Sequence, residues 1–184
     1  MHFDLPVVPA AAWTIGHSTL AIDTFLANLA ASRIEALVDV RRHAGSRRHP
    51  QFNPEPLEGS LRAAGIAYLP MPALGGRRKP RPDSPNTSWR NDSFRGYADY
   101  METPAFRSAL AVVAERAARE RTVVMCAEAL WWRCHRGLIA DALAASGSAV
   151  WHIGTDARVE AHPFTGAARL VDGELTYAGT LPLV

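Results

Sequence analysis

The chain has 184 residues and a mass of 20.0 kDa, with 48% apolar and 21% charged side chains. That suits one globular domain with its own core and excludes disordered and fibrous classes. The apolar stretch over 5–13 is broken by Pro6 and Pro9 and has no basic leader, so neither a membrane span of about 20 residues nor a secretory signal is expected.

Trp13, Thr14 and Ile15 form a first strand ending at Gly16. Ile22, Phe25, Leu26 and Leu29 recur at helical spacing, which predicts an amphipathic helix over 22–32. Residues 36–40 are almost continuously apolar, the pattern of a strand covered on both faces. Pro54 opens a predicted helix to Gly65, and a third strand over 66–69 stops at Pro70. Residues 71–93 carry four prolines and no period, so a long loop is expected there, functional or disordered. Helices are predicted over 94–101 and 104–120, the second capped by Thr103. A fourth strand over 122–125, a helix over 135–146 ended at Gly147, and a fifth strand over 149–153 follow. Asp172-Gly173 then joins two short runs as a hairpin. The expectation is a single-domain α/β fold over 13–178 with tails at 1–12 and 179–184. About five mostly parallel strands should form a central sheet with helices on both faces, plus the C-terminal hairpin.

Ligands of such sheets bind beyond the carboxyl ends of the strands. There the sequence delivers Gly16-His17-Ser18, Asp39-Val40-Arg41, Gly75-Gly76, Cys126-Ala127-Glu128 and Cys134-His135-Arg136. Net charge is only +2, yet residues 41–95 hold eleven basic and four acidic side chains, all but Lys79 of the basic ones arginine. That composition suits either a solvated loop or a phosphate- or carboxylate-binding surface.

Two cysteines are too few for a disulfide scaffold and are expected as reduced thiols in a cytoplasmic protein. Cys126 ends a buried strand and reads as a core thiol. Cys134 lies at a helix start beside Arg133, His135 and Arg136, where amides and cations favour thiolate, and is expected to be the more reactive. Cys126 to Arg133 is one residue too long for the phosphate cradle of cysteine phosphatases. A metal site from Cys126, Cys134, His135 and His17 has no zinc-motif spacing, so no metal or cofactor is expected. Asp39 and Arg41 share a strand face, either as an internal ion pair or as base and anion clamp.

The strings TIGHST, VDVRRHAGSRRHPQFN, LPMPALGG, SFRGYADYM and MCAEALWWRCHRGLIADAL resemble the bacterial and archaeal family called domain of unknown function 488. The resemblance runs from about residue 13 to 177 and implies a compact α/β domain, with the reaction unassigned. Some relatives carry nucleic-acid-repair labels.

These observations predict an enzyme acting on a phosphate-bearing ligand, a nucleotide or nucleic acid, at the carboxyl edge of the sheet. Cys134, Glu128, Asp39 and His17 are the expected catalytic residues. Ser18, Arg41, Ser46, Gly75, Gly76, Tyr97, His135 and Arg136 are the expected ligand contacts. The alternatives are a non-catalytic nucleic-acid-binding module and a thiol-redox or metal-thiolate protein. No membrane partner is expected.

Overall fold

The computed structural model describes residues 1, 3 and 10–179. The rest of the two expected tails, 2, 4–9 and 180–184, lies outside the described residues. Six strands form one sheet in the order β3-β2-β4-β1-β5-β6. They are β1 (Ala11–Gly16), β2 (Ala36–Asp39), β3 (Ala67–Pro70), β4 (Thr122–Cys126), β5 (Ala149–Ile153) and β6 (Val159–Ala161). The first five run parallel, and β6 pairs antiparallel with β5.

The central strands are buried on both faces, as their unbroken apolar runs require. On one face Trp13, Ile15, Leu37, Val123 and Met125 meet Phe25 and Leu29 of α1 (Ile22–Ala31) and Leu57 and Leu61 of α2 (Pro54–Ala63). On the other, Ala12, Val38, Val124 and Val150 meet α3 (Asp92–Met101), α4 (Pro104–Ala117) and α5 (Arg136–Ala145). Each fully buried Leu or Phe contributes about 1.5–3 kcal/mol by leaving water.

The expected five-stranded sheet gains β6, whose three exposed residues are too short a run to be read as a strand from sequence. The first strand begins two residues earlier than expected, at Ala11. Phe3, placed in a tail from sequence, is buried against Phe106. Helix α3 starts at Asp92, ahead of the expected Phe94, because the Asn91 side chain accepts hydrogen bonds from the Ser93 and Phe94 amides. Thr103 caps α4 as expected. The hairpin β7 (Arg169–Val171) and β8 (Glu174–Thr176) forms its own two-stranded sheet. Asp172 and Gly173 both take positive φ, 51° and 81°, the conformation that a tight two-residue turn needs.

Apart from one 3-10 turn at Pro72–Leu74, residues 71–91 are without helix or strand, yet they are tied down. Asp99 on α3 accepts hydrogen bonds from the Arg81 amide, the Ser84 hydroxyl and the Asn86 side chain. A Cβ on Gly96 would sit 2.5 Å from the Lys79 carbonyl carbon, so that glycine lets the loop backbone lie directly on the helix.

The site follows from this topology. Strands β1 and β4 are neighbours, but β1 leads to α1 on one face while β4 leads to α5 on the other. Chain segments that diverge in this way leave a crevice at the carboxyl ends.

Candidate functional site

The floor of the crevice is built by backbone contact. His17 N donates to Cys126 O at 3.0 Å, and Ser18 N donates to Ala127 O at 3.0 Å. A Cβ on Gly16 would lie 1.7 Å from the Glu128 carbonyl oxygen, a distance no side-chain rotation relieves. Gly16→Ala is therefore expected to force the two loops apart and cost about 3 kcal/mol or more. Urea unfolding measures this, and a loss below about 0.5 kcal/mol would mean that the contact is not held in solution.

Cys126 and Cys134 meet at this floor, with their sulfurs 2.8 Å apart and both side chains buried. Arg136, on the first turn of α5, is 1% exposed. Its Nη1 donates to Cys126 Sγ at 2.7 Å and to the Glu128 carbonyl, and its Nη2 to the Ala129 carbonyl at 2.8 Å. Among the described residues no carboxylate lies within ion-pair distance of this guanidinium. A buried arginine cannot shed its proton, so the compensating charge falls to the group that can supply it, the Cys126 thiol.

The acidity of the pair follows. Burial alone would raise the Cys126 pKa, but the hydrogen bond from Cys134, the charge and hydrogen bond of Arg136, and the Glu128 backbone outweigh it and bring it down to about 7. Cys134 is pushed well above its ordinary value, first by its hydrogen bond to Cys126, then by burial and by the Cys126 charge. The expectation that Cys134 would carry the lowered pKa is reversed. The Arg136 side chain turns back beneath the end of β4 to reach Cys126, and Cys134 becomes the proton donor to the thiolate.

A cavity of about 420 Å3 opens on the pair, lined by Arg41, Arg42, Arg77, Glu128 and Arg133, with Gly76 and His135. A second cavity of about 610 Å3 shares Arg41, Glu128 and Arg133 and continues along His17, Ser18 and Ser46. Arg41 closes its guanidinium on Asp39 through Nε at 2.8 Å and Nη2 at 2.6 Å, and Tyr68 donates to the same carboxylate at 2.9 Å. The Asp39–Arg41 ion pair is thus present. The imidazole of His17 lies on Phe52, ring centres 4.2 Å apart. Because a carbonyl only accepts, His17 Nδ1 donates to Ser18 O at 2.9 Å, leaving Nε2 to face Arg41 Nη1 at 3.3 Å. Burial, then the Arg41 charge, lower the His17 pKa to about 4, so the ring is neutral.

The other expected ligand contacts divide. His135 lines the cavity with Nδ1 3.5 Å from Cys134 Sγ, and burial takes its pKa down to about 4. Gly76 is held there because a Cβ would lie 2.8 Å from His135 Nδ1, while Gly75 lies against Arg42, 2.6 Å from its Cβ on the same test. Ser46 lines the second cavity, its amide donating to Asn53 Oδ1 at 2.6 Å. Tyr97 is not on either wall. It is buried in the core with its hydroxyl donating to Leu74 O at 2.7 Å. Arg78 is also engaged elsewhere, lying 3.6 Å over the Tyr100 ring and donating to Gly75 O.

A second polar cluster joins α5 to β1, β5 and the segments after β6 and the hairpin. Asp141 of α5, fully buried, accepts from His162 Nε2 at 3.0 Å, the Thr165 amide at 2.8 Å, the Thr165 hydroxyl at 2.6 Å and the Tyr177 hydroxyl at 2.7 Å. His162 continues to His152 at 2.8 Å, and His152 to the Thr14 hydroxyl at 2.6 Å. Trp131 stacks on His152 with ring centres 4.4 Å apart. Among the described residues, no three His, Cys, Asp or Glu side chains are placed to hold a metal ion, and no helix is long and apolar enough to cross a membrane.

No curated protein and no solved structure matches the chain. A family described as Domain of unknown function DUF488 matches over residues 21–143. That span holds β2, β4 and most of α5, and with them Asp39, Arg41, both cysteines and Arg136. It covers more than half of the 184 residues, and the chain belongs to the DUF488 family.

Proposed function

We propose that the chain is an enzyme that uses the Cys126 thiolate on a phosphate-bearing ligand. The observation that carries this reading is a buried guanidinium that donates to a thiol at the floor of an open, arginine-lined cavity. In this reading Cys126 is the nucleophile and Arg136 and Cys134 hold it as thiolate. Arg42, Arg77 and Arg133 take the ligand's anionic group, and Glu128, exposed at the mouth, moves protons. A carboxylate and a thiolate go beyond the needs of a simple phosphate receptor, since both repel the ligand.

Iodoacetamide labelling of Cys126 tests this in the presence of inorganic phosphate, nucleoside mono- and triphosphates, or a single-stranded oligonucleotide. At least one probe should protect Cys126. The protection should weaken with salt, and its salt slope should flatten in Arg77→Ala, because fewer counter-ions are released. Labelling that no phosphate compound slows would sink the reading.

A non-catalytic nucleic-acid module has one specific observation in its favour. A cleft of about 880 Å3 shares Asn91 and Phe94 with the thiolate cavity and is lined by Trp89, Trp131, Trp132, Phe164, Arg90 and Arg169. Aromatic rings among arginines suit stacked bases of a single strand. Oligonucleotide binding that quenches tryptophan fluorescence but leaves Cys126 labelling unchanged would favour this module over the enzyme.

A further inference from the structure

We propose that Cys126 and Cys134 form a peroxide-reducing dithiol, with Cys126 as the attacking thiolate and Cys134 as the resolving thiol. The inference rests on the thiolate at Cys126 and not on any phosphate ligand.

Three features of the geometry combine. The sulfurs are 2.8 Å apart, so closing to a disulfide bond of about 2.05 Å takes an approach of less than about 1 Å. Arg136 Nη1 lies 2.7 Å from Cys126 Sγ, where its fixed charge favours the attacking thiolate over the thiol. The 420 Å3 cavity reaches both cysteines and admits a small hydroperoxide, although each side chain is otherwise buried.

In the first step the Cys126 thiolate attacks the nearer oxygen of the hydroperoxide. The S–O bond forms and the O–O bond breaks. Hydroxide or alkoxide leaves and takes a proton from cavity water. Sulfur is oxidised by two electrons to sulfenic acid, and the peroxide is reduced to water or alcohol.

The second step follows from the first. Cys134 holds its proton because of the hydrogen bond to Cys126 and the negative charge there. Sulfenic acid formation removes that charge while Arg136 remains, so Cys134 becomes easier to deprotonate. Its sulfur attacks Cys126, the S–S bond forms and the S–O bond breaks. The leaving hydroxide carries off the Cys134 proton as water. A dithiol reductant restores the pair by exchange, ending as its own disulfide. The short sulfur–sulfur distance makes resolution effectively intramolecular and favours it over further oxidation of Cys126.

The test treats the reduced full chain with one equivalent of hydrogen peroxide and maps its peptides. The wild type should lose both thiols together, form a disulfide between Cys126 and Cys134, and recover both thiols with a dithiol reductant. In Cys134→Ser, dimedone should trap sulfenic acid on Cys126 and no disulfide should form. In Cys126→Ser, Cys134 should lose its reaction with peroxide. The proposal is overturned if wild-type Cys126 proceeds to sulfinic acid while Cys134 stays free. It is equally overturned if both thiols survive peroxide, or if peroxide oxidises Cys134 of Cys126→Ser as fast as it oxidises the wild-type pair. The wild-type map decides the matter even if a variant fails to fold, and it reads nothing about phosphate ligands.

Discussion

Arg136→Gln is expected to move the Cys126 pKa out of the neutral range and slow its alkylation at pH 7. The wild-type value of about 7 leaves half the thiol ionised at that pH. A return to the ordinary 9.0 cuts the thiolate fraction by about fiftyfold. The more basic thiolate is intrinsically more nucleophilic, which restores a factor of about six to ten. The net slowing at pH 7 is then about five- to eightfold, and above about pH 8.3 the variant becomes the faster of the two. That crossing distinguishes loss of charge stabilisation from simple blockage of the cavity, which would slow the variant at every pH.

The same substitution touches stability. The Glu128 and Ala129 carbonyls lose donors, at about 1–3 kcal/mol for each group left unmet. The pH dependence has a definite sign. Cys126 has a lower pKa folded than unfolded, so its contribution is complete above the ordinary 9.0 and lost as pH falls through about 7. Wild-type stability should rise across that window, and Arg136→Gln should flatten the rise.

Asp141→Ala is the substitution expected to cost most in folding. The carboxylate lies on a helix buried along most of its length and joins β5, the segment after β6 and the hairpin through His162, Thr165 and Tyr177. Removing it strands three side-chain donors and one amide in the interior. Breaking such a buried network costs about 3–5 kcal/mol, a large share of the roughly 5–15 kcal/mol that holds a domain folded. Asp141→Asn should fall between, since the amide keeps one accepting oxygen but turns the other position into a donor. Denaturant unfolding of the three proteins checks this order. Wild-type stability in Asp141→Ala would show that water replaces the carboxylate.

The order of strands and helices was legible because β2 and β4 are unbroken apolar runs and because α1 and α2 alternate at 3.6 residues. The spatial order was not legible, because nothing local in β4 states that it inserts between β2 and β1. The gathering of these segments at one edge was nevertheless legible, since carboxyl ends of parallel strands lie on one edge whatever their order.

The thiol chemistry shows the opposite limit. The sequence placed cations next to Cys134, and helix-start reasoning favoured that cysteine. What decides the charge is the direction of one long side chain, Arg136, and that direction exists only in three dimensions. Asp141 left a readable trace, because a lone carboxylate in the apolar string GLIADALAA must find partners once buried. Its partners, Thr165 and Tyr177, lie 24 and 36 residues away with no period linking them to it. Tyr97 misled for a related reason. Its aromatic ring and hydroxyl suit a ligand, but the Leu74 carbonyl supplies the partner inside the core.

The most direct test of the account is the pH dependence of wild-type alkylation, resolved at each cysteine by mass spectrometry. Cys126 should react half-maximally near pH 7, with Cys134 labelled only in chains whose Cys126 has already reacted. Cys134 reacting first, or Cys126 titrating at 9.0 or higher, would contradict the thiolate–guanidinium pair on which the proposed chemistry stands.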